Sequence, residues 1–312
     1  NAGASKFRNI IVKNSQLLNI LDFGAYMIFE NASIQTMIML FKNNSSMDNY
    51  IFDYRRIESD KPSLEDVYHL LDGIQTVSTK LLRPKVIKEL YIDNPLIFNN
   101  EINSKLLNSI KAKQNFTLRD KADKKNHIKS EIGQGIVAPQ DSLNKSSVDK
   151  LNNGYAIGDG VFVLSNSELK NINFLEIEQE FIKPYFTTEQ IGKYYTHNNN
   201  SSWIIYTKSD IDKEQGVNKI KLIDKLPNIK NHLDKFVSIN TSHNAPYGLH
   251  RAREQHFFEG EKIVVLRKCP HEPIFSYTNF PCYVSQTFFV IQSNRINLKY
   301  LTGLLNSKLT AY

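Results

Sequence analysis

The sequence predicts an α/β segment followed by a mixed α+β domain. Two apolar runs near the front, Leu17 to Gly24 and Ser33 to Phe41, have the length and the flanking turn residues of neighbouring strands in a covered sheet. From residue 128 onward, short strand patterns alternate with a few helical ones. Between these regions lies a stretch with two helical patterns and many lysines. The chain therefore divides into residues 1–45, a connector over 46–127 and a larger domain over 128–312.

The first segment needs partners outside itself, because two strands alone do not form a stable sheet in water. The chain opens with small residues and no Met, and it stops at Tyr312 inside a helical pattern without a C-cap glycine. We therefore expect a piece of a larger protein, with the missing strands upstream of Asn1. Residues 5–14 fit either a helix end or a strand.

The connector contains a strand pattern over 50–57, a helix pattern that begins after Pro62 and Ser63, and a second helix pattern over 101–111. Its end is strongly basic. The basic residues are Lys111, Lys113, Arg119, Lys121, Lys124, Lys125 and Lys129. Such a run is a solvated linker or an arm that contacts phosphates, and the two are compatible. The candidates for phosphate contacts that do not depend on base sequence are Lys121, Lys124 and Lys125.

The larger domain is predicted from short apolar runs separated by turn residues. The predicted strands cover residues 128–137, 155–164, 203–207, 261–269, 273–278 and 282–292. Residues 176–185 form a predicted helix that Pro184 closes, and residues 219–236 form a second one, interrupted at Pro227. A last helix is predicted over 296–312, with inward-facing Leu301, Leu304, Leu305 and Leu309.

Composition favours a charged partner without identifying it. The formal net charge of +7 favours a polyanion. Two cysteines, Cys269 and Cys282, do not make a disulfide framework, so a reducing cytoplasm is the expected location. The apolar run over 34–41 is far shorter than the roughly 18 residues of a membrane-spanning helix, and no membrane partner is expected.

The familiar catalytic and metal-binding patterns are absent from the sequence. Two G-x-G pieces, at 133–135 and 158–160, lack the third glycine and the helix of a dinucleotide fingerprint, and both are predicted to be turns or bulges. Cys269, His271 and Cys282 match no common zinc spacing. No catalytic residue, metal ligand or cofactor site is therefore predicted in this chain.

The stretch from Tyr247 to Arg267 carries a dense group of side chains able to reach a base edge or a phosphate. It begins at a turn and ends in an apolar strand pattern that would hold the donors rigidly. The candidates for reading DNA are Arg251, Arg253, Gln255 and His256. The alternative is a solvated loop beside a buried strand, with Arg253 in an ion pair with Glu254 or with a carboxylate over 176–180.

Two stretches near the front resemble one enzyme family. Residues 20–24 (ILDFG) and 28–41 (IFENASIQTMIMLF) resemble the last two strands of the N6-adenine DNA methyltransferase domain in type IIG and TaqI-like restriction-modification enzymes. Residues 132–139 (IGQGIVAP), 160–164 (GVFVL) and 181–195 (FIKPYFTTEQIGKYY) resemble the opening of the TaqI-like C-terminal specificity domain. The fold that the resemblance implies is a methyltransferase-sheet remnant followed by a target-recognition domain.

The resemblance continues to the end of the chain. Leu249, Arg253, Phe257, Lys262 and Ile263 resemble a later segment of the same specificity domain, and residues 300–309 (YLTGLLNSKL) resemble its last helix. These pieces follow one another in the order that the family has. If the resemblance holds, additional DNA-backbone or cleft contacts are expected from Lys183, Tyr185, Lys193 and Tyr194.

The resemblance implies sequence-specific recognition of double-stranded DNA within a larger restriction-modification protein. The parent is expected to methylate adenine at N6 with S-adenosyl-L-methionine, whether or not it also cleaves DNA. This chain carries neither the family's glycine motif for that cofactor nor its NPPY motif, and residues 93–96 (DNPL) depart from NPPY at the last two positions. We therefore expect no activity from the chain alone. The expected partners are duplex DNA and an upstream methyltransferase domain of the same polypeptide.

Other functions fit the same residues. A recognition module like that of a type I specificity subunit, or of a phage-defence methyltransferase, has a similar layout. A protein-interaction scaffold would use the basic surface to bind an acidic partner. A free-standing enzyme is disfavoured because no catalytic constellation is present.

Overall fold

The computed structural model describes most of the chain. The described residues are 2–29, 31–32, 34–43, 48–92, 98, 105–106, 109–110, 112–113, 116–123, 125, 128–151, 154–215, 220–269 and 272–311. Contacts divide the chain into two compact units, residues 1–116 (unit 1) and 117–312 (unit 2). Most of the helix predicted over 101–111, residues 93–96, Lys124 and His271 lie outside the described residues. None of the described helices is long and apolar enough to cross a membrane.

Unit 1 is built on a four-stranded mixed sheet. Its strands are β1 (Ser15–Asp22), β2 (Met37–Asn43), β4 (Asp53–Ile57) and β5 (Thr79–Leu82), in the order β2-β1-β4-β5. β1 runs antiparallel to β2 and parallel to β4. A separate pair joins β3 (Asn49–Ile51) to β6 (Lys85–Ile87). The helices whose ends lie within the described residues are α1 (Ala2–Asn14), α2 (Leu64–Asp72) and α3 (Lys88–Tyr91).

The two apolar runs at the front are neighbouring strands, as predicted, but the rest of the sheet differs from the expectation. β4 and β5 come from the segment expected to be a helical connector, and they extend the sheet on the β1 side. β2 is mostly uncovered. Four of its apolar side chains are exposed, Met37 58%, Ile38 52%, Leu40 57% and Phe41 46%, whereas Met39 packs against the core that contains Leu17 and Ile20. The periodicity finds the strand but cannot say which of its faces is covered.

Helix α2 begins where the sequence predicts it. Ser63 is the N-cap: its hydroxyl accepts from the backbone N–H of Asp66, and the Asp66 carboxylate accepts from the backbone N–H of Ser63. This reciprocal capping satisfies two donors that the first helical turn leaves unpaired. Gly73 ends the helix with φ of 70°, and Leu70 is the fully buried side chain of the helix.

The Ser63 cap gives a local prediction for unit 1. We expect Ser63→Ala to lower the free energy of unfolding by about 1 kcal/mol, because it removes the side-chain acceptor of the cap. Ser63→Thr should lose much less, because its hydroxyl also caps. Urea unfolding followed by circular dichroism measures both variants. Equal losses for Ala and Thr would show that the cap does not stabilise the helix.

Unit 2 contains two larger sheets and a short hairpin. The five-stranded sheet has the order β10-β15-β14-β17-β7, with β7 (Ile132–Gln134), β10 (Tyr194–Tyr195), β14 (Lys262–Leu266), β15 (Phe275–Thr278) and β17 (Phe288–Ile291). The four-stranded sheet has the order β16-β9-β11-β8, with β8 (Val163–Ser165), β9 (Ile182–Phe186), β11 (Ser202–Ile205) and β16 (Tyr283–Val284). The hairpin joins β12 (Glu214–Gln215) to β13 (Ile220–Lys221).

Helices of unit 2 lie between and after these strands. They are α4 (Lys145–Leu151), α5 (Asn166–Ile172), α6 (Glu176–Gln179), α7 (Pro227–Asp234), α8 (Leu298–Leu305) and α9 (Lys308–Ala311), with 3-10 turns at Leu222–Lys225 and Gln255–Phe258. The mixed α/β character expected for this part of the chain is therefore present.

Alternation along β14 places two cores on opposite sides of the five-stranded sheet. Val264 belongs to the main core of unit 2, which also contains Phe186, Phe258 and Phe288. Ile263, one residue earlier, belongs to a second cluster with Leu298 and Leu301 of α8. Because successive side chains of a strand point to opposite faces, one strand serves both cores. β14 is therefore a rigid centre for the loops at its ends.

Two predicted helices are corrected. The helix expected over 176–185 ends at Gln179, and Pro184 lies inside β9, opposite Trp203 of β11. The reason is burial: Ile182, Tyr185 and Phe186 are buried strand residues of the main core, which outweighs the local helix signals. In the last helix Leu301 is buried as predicted, whereas Leu304 and Leu309 are exposed.

Candidate nucleic-acid interface

The loop before β14 is held in place by its backbone. Arg251 exchanges two backbone hydrogen bonds with Val137, at 3.0 Å each. Leu249 is fully buried, and its N–H donates to the carbonyl oxygen of Thr207 at 3.1 Å. The Asn244 side chain donates to the carbonyl oxygen of Leu249 at 2.8 Å. The loop is thus a fixed mount, from which the exposed Arg251 side chain projects.

Arg253 is fixed by its side chain as well. Its Nε donates to the carbonyl oxygen of Gly135 at 3.2 Å, and its Nη2 donates to Oε1 of Gln134 at 2.7 Å. Its backbone has φ of 67°, and its carbonyl oxygen accepts from the Tyr206 hydroxyl at 3.0 Å. The ion pair considered from the sequence, with Glu254 or a carboxylate over 176–180, is absent among the described residues. Arg253 is therefore held by neutral groups and keeps its charge.

Three arginines form a cluster at this place: Arg251, Arg253 and Arg267, called here the arginine cluster. Gln134 links Arg253 to Arg267, because its Oε1 accepts from Arg253 at 2.7 Å and its Nε2 donates at 3.4 Å to the Gln286 carbonyl oxygen that also accepts from Arg267. Burial lowers the pKa of Arg253, and the charges of Arg251 and Arg267 lower it further. Arg267 donates through Nη1 to the carbonyl oxygen of Gln286 at 3.1 Å and lies over the Phe289 ring at 5.5 Å. Within the described part of the chain, none of the three is paired with a carboxylate.

Arg267 was not among the residues predicted to contact DNA. It follows the last residue of β14, and the pairing of β14 with β17 brings the turn at 285–287 beside it. Its N–H donates to the carbonyl oxygen of Thr287 at 2.8 Å. The sequence signal was its position directly after an apolar strand, in the same stretch as the other two arginines.

Close backbone approach explains the glycine at 135. A Cβ added there would overlap the carbonyl oxygen of Ser285. The Gly135 N–H donates to the carbonyl oxygen of Phe288 at 3.0 Å. Gly135, which the sequence predicts to lie in a turn or bulge, therefore allows its backbone to approach the backbone of Ser285 closely beside the arginine cluster.

Gln255 and Lys183 meet at a second place. Both line a recess of about 520 Å³, together with Lys208, Glu180 and Asp210. Lys183 Nζ lies 6.0 Å from the centre of the Tyr283 ring, and the Tyr283 hydroxyl donates to the Glu259 carboxylate at 2.6 Å. The recess carries both charge signs, so it has no strong preference for an anion.

Tyr185 does not line a cleft, contrary to the expectation. Its side chain is only 5% exposed and packs in the main core of unit 2. Burial raises its pKa far above the ordinary value, with the Asp141 carboxylate adding to the effect. Lys183 and Tyr185 are two residues apart and point to the same face of β9, but that face is covered at Tyr185, towards the buried end of the strand.

The side chain of His256 lines a different recess from that of Gln255, although the two residues are adjacent in sequence. This recess, of about 640 Å³, is also lined by Arg119, Lys129 and Glu261. The His256 Nδ1 lies 3.2 Å from the Glu254 carboxylate. Burial lowers the pKa of His256, and Lys129 lowers it further against the opposing effect of Glu254. The imidazole is therefore neutral at pH 7, and its contact with Glu254 is a hydrogen bond.

Lys193 and Tyr194 lie at the outer strand β10 of the five-stranded sheet. Tyr194 and its neighbour Tyr195 are 51% and 61% exposed, and Tyr194 has φ of 83°. Lys193 Nζ lies 3.6 Å from the Glu272 carboxylate and 6.0 Å from the centre of the Tyr194 ring. The pair is accessible, but the lysine charge is partly balanced by Glu272.

The basic run before residue 130 is described only in part. Lys121 and Lys125 are exposed. Lys125 lies in a turn, and its backbone N–H donates to the Asp123 carboxylate at 3.0 Å. Lys124 lies outside the described residues. Exposed lysines on a short turn suit phosphate contacts, since their charge is accessible from many directions.

Glu131 connects this basic run to Ser293 and Arg295 through hydrogen bonds. Its buried carboxylate accepts from Nε of Arg295 at 2.9 Å, from Nη2 of Arg295, from the Ser293 hydroxyl and, at 2.8 Å, from the backbone N–H of Arg119. Arg295 also donates to the carbonyl oxygen of Thr117 at 2.8 Å. The Arg295 guanidinium lowers the pKa of Glu131 to about 2 despite its burial.

Lys262, which carries part of the family resemblance, is a structural residue. Its side chain is fully buried, and Nζ donates to the carbonyl oxygens of Gly260 and Phe280 at 2.6 and 2.7 Å. Burial lowers its pKa to about 8. Cys282 is also buried, and both cysteines are free. The described residues contain no group of three or more side chains that would hold a metal ion.

Residues 183–312 match the TaqI-like C-terminal specificity domain. The family resemblance expected from the sequence is confirmed for these residues. The match runs from β9 to the end of the chain and contains all three members of the arginine cluster. Gln134 and Gly135, which hold Arg253, precede the matched part of the specificity domain.

Solved structures are similar at low identity. The type IIL restriction-modification enzyme MmeI, solved in complex with DNA, is 11% identical with a TM-score of 0.47, covering 97% of this chain and 34% of that one. The type IIG restriction endonuclease BpuSI is 12% identical with a TM-score of 0.29, covering 98% of this chain and 34% of that one. This chain therefore spans about a third of the length of either protein. No curated protein sequence matches the chain.

Proposed function

We propose that the chain recognises a short sequence in double-stranded DNA as the target-recognition part of a restriction-modification protein. The observation that carries this proposal is the arginine cluster, with Arg251 and Arg253 on the fixed loop before β14 and Arg267 directly after β14, and none of the three has a carboxylate partner in the described part of the chain. The specificity-domain match over 183–312 and the net charge of +7 support it. Arginine is suited to this work because its planar fork binds phosphate oxygens or the edge of guanine.

The three arginines take different roles in this proposal. Arg251 is exposed and has no side-chain partner among the described residues, so it is free to contact a phosphate or a base. Arg253 is oriented by two hydrogen bonds, as a base-reading side chain needs to be. Arg267 is held by a backbone carbonyl and an aromatic ring, which suits a phosphate contact that sets the register on DNA.

Other predicted contacts are secondary in the proposal. Lys121 and Lys125 would contact phosphates without regard to sequence, and Lys124 is assigned the same role from the sequence alone. Additional contacts would come from Lys183, Lys193, Tyr194, Gln255 and His256. These residues open to other recesses or edges than the arginine cluster. Their contributions to base discrimination should therefore be smaller than that of Arg253.

We also propose that the parent is an N6-adenine DNA methyltransferase and that residues 1–45 form the last strands of its methyltransferase domain. The support is β2, an outer strand with exposed Met37, Ile38, Leu40 and Phe41, because exposed apolar strands of this kind mark surfaces that other parts of a protein cover. S-adenosyl-L-methionine would bind in the remainder of that domain, since the sequence here lacks the family's glycine and NPPY motifs. The chain alone should then be inactive as a methyltransferase.

The salt dependence of DNA binding tests the proposal. If Arg267, Lys121 and Lys125 neutralise three phosphates, the association constant should fall about 40-fold between roughly 50 and 200 mM salt, because each contact releases counterions. Fluorescence anisotropy with a labelled duplex measures it. A duplex of unrelated sequence serves as the control for non-specific binding. An affinity that is indifferent to salt, or no binding at the lower salt, would contradict the proposal.

A further inference from the structure

We propose that Gln134 sets the orientation in which Arg253 offers its guanidinium to a DNA base. Gln134 is then a positioning residue for specificity, although it precedes the matched specificity domain by about fifty residues. The inference rests on the proposed function, because it assigns a role within the same arginine cluster.

The two hydrogen bonds of Arg253 occupy one edge of its guanidinium. A guanidinium has five N–H donors in a plane, and its side edge consists of Nε and one hydrogen of Nη2. Nε is bound to the Gly135 carbonyl oxygen at 3.2 Å and Nη2 to Gln134 Oε1 at 2.7 Å. The end edge keeps one hydrogen on each of Nη1 and Nη2, and no described residue accepts from Nη1. Two parallel donors on that edge match O6 and N7 of guanine.

Gln134 is itself held on both sides. It ends β7, where it is paired with Phe289 of β17. Its Nε2 donates to the carbonyl oxygen of Gln286 at 3.4 Å, and the same carbonyl oxygen accepts from Arg267 at 3.1 Å. The amide therefore points its oxygen to Arg253 and its nitrogen to the carbonyl that anchors Arg267. One side chain thus connects two of the three arginines.

The neutrality of this glutamine matters as much as its geometry. A carboxylate at 134 would accept the same hydrogen bond but would cancel one charge of the arginine cluster. A glutamine orients the fork and leaves the charge available to DNA. The second acceptor, the Gly135 carbonyl, belongs to the backbone, and only glycine fits there because of the Ser285 carbonyl. Gln134 is therefore the side chain through which the orientation of Arg253 can be changed.

Two substitutions separate orientation from charge. Gln134→Leu removes the acceptor and keeps the charge of the cluster, whereas Gln134→Glu keeps the acceptor and adds a negative charge that offsets one arginine. Gln179→Leu is the matched control, because Gln179 is exposed and its side chain makes one hydrogen bond among the described residues, to the Phe174 carbonyl oxygen. The probe is a duplex DNA library randomised over its central base pairs. Wild type selects from it first, and each variant is then titrated with the selected duplex and with its single-base-pair variants.

For Gln134→Leu we expect discrimination at one base pair to fall about tenfold or more, with unchanged affinity for unrelated duplexes. For Gln134→Glu we expect the wild-type preference at lower affinity for every duplex, with the salt slope reduced by about one. Gln179→Leu should behave as wild type. Thermal unfolding shows whether each variant is folded. If Gln134→Leu does not fold, Gln134→Glu decides: a retained preference at lower affinity supports the role, and any other profile overturns it.

A wild-type preference that survives unchanged in Gln134→Leu would overturn this inference and leave the proposed function standing. Loss of affinity for all duplexes alike in that variant would also overturn it, because orientation affects discrimination and not the phosphate contacts. Absence of any selected sequence with the wild-type chain would instead overturn the proposed function. The two failures are therefore distinguishable in one set of titrations.

Discussion

Replacing Glu131 by glutamine should lower the free energy of unfolding of unit 2 by about 3 kcal/mol at pH 7. The size of this loss follows from the pKa of Glu131, which falls from an ordinary 4.5 to about 2 in the folded chain. The carboxylate is buried and accepts four hydrogen bonds, so a neutral amide leaves Arg295 without its counter-ion. Urea unfolding at pH 7 measures the loss. Glu180→Gln, at an exposed glutamate, is the control.

The same carboxylate gives a defined pH dependence. A carboxyl group whose folded pKa is depressed stabilises the fold fully above its unfolded pKa, and the contribution disappears as the pH falls through the folded pKa. The stability difference between wild type and Glu131→Gln should therefore be constant above about pH 5, and it should vanish as the pH approaches about 2. A difference that does not change over this range would show that the Arg295 ion pair is not its source.

Replacing Arg253 by alanine should reduce discrimination between the selected sequence and its single-base-pair variants by about 10- to 100-fold, equivalent to about 1–3 kcal/mol. The loss should be confined to one base pair, since the guanidinium presents a single pair of donors. The comparison is Lys125→Ala, which removes an exposed charge. That variant should weaken binding to all duplexes alike and reduce the salt slope by about one. Competition titrations measure both, and identical behaviour of the two variants would contradict this division of roles.

Local signals in the sequence were sufficient for several elements. The apolar runs that became β1, β11 and β14 are contiguous, and a strand can be predicted from such a run without knowing its partner. The N-terminus of α2 was predictable because Ser63 and Asp66 are three residues apart and cap the helix within one turn. The basic loop before β14 was also visible, since its donors are close together in sequence.

Long-range pairing was not predictable from these signals. β1 pairs with β4, and β4 with β5, from the segment expected to be a connector. Pro184 lies in a strand because burial in the main core outweighs its helix-ending signal. β2, Leu304 and Leu309 are exposed because no other part of the described structure covers these apolar faces. The periodicity of the sequence does not say which apolar face another element will cover.

The candidate site shows the same division. Arg251 and Arg253 were found from their own stretch, but Arg267 acquires its place through the pairing of β14 with β17. The acceptors that hold Arg253 lie 118 and 119 residues earlier in the chain. Gln255 and His256 are adjacent in sequence and open to different recesses. Adjacency in sequence therefore indicated which residues were candidates, and the fold decided which of them lie together.

The most direct test of the account is selection from a randomised duplex library by the wild-type chain and by the Arg253→Ala variant. We expect the wild-type chain to enrich one short sequence, and the variant to enrich the same sequence with one base pair left undetermined. Sequencing of the bound fraction measures both outcomes. Enrichment of no sequence by the wild-type chain, or an identical sequence with every base pair still determined in the variant, would contradict the claim that the arginine cluster reads DNA.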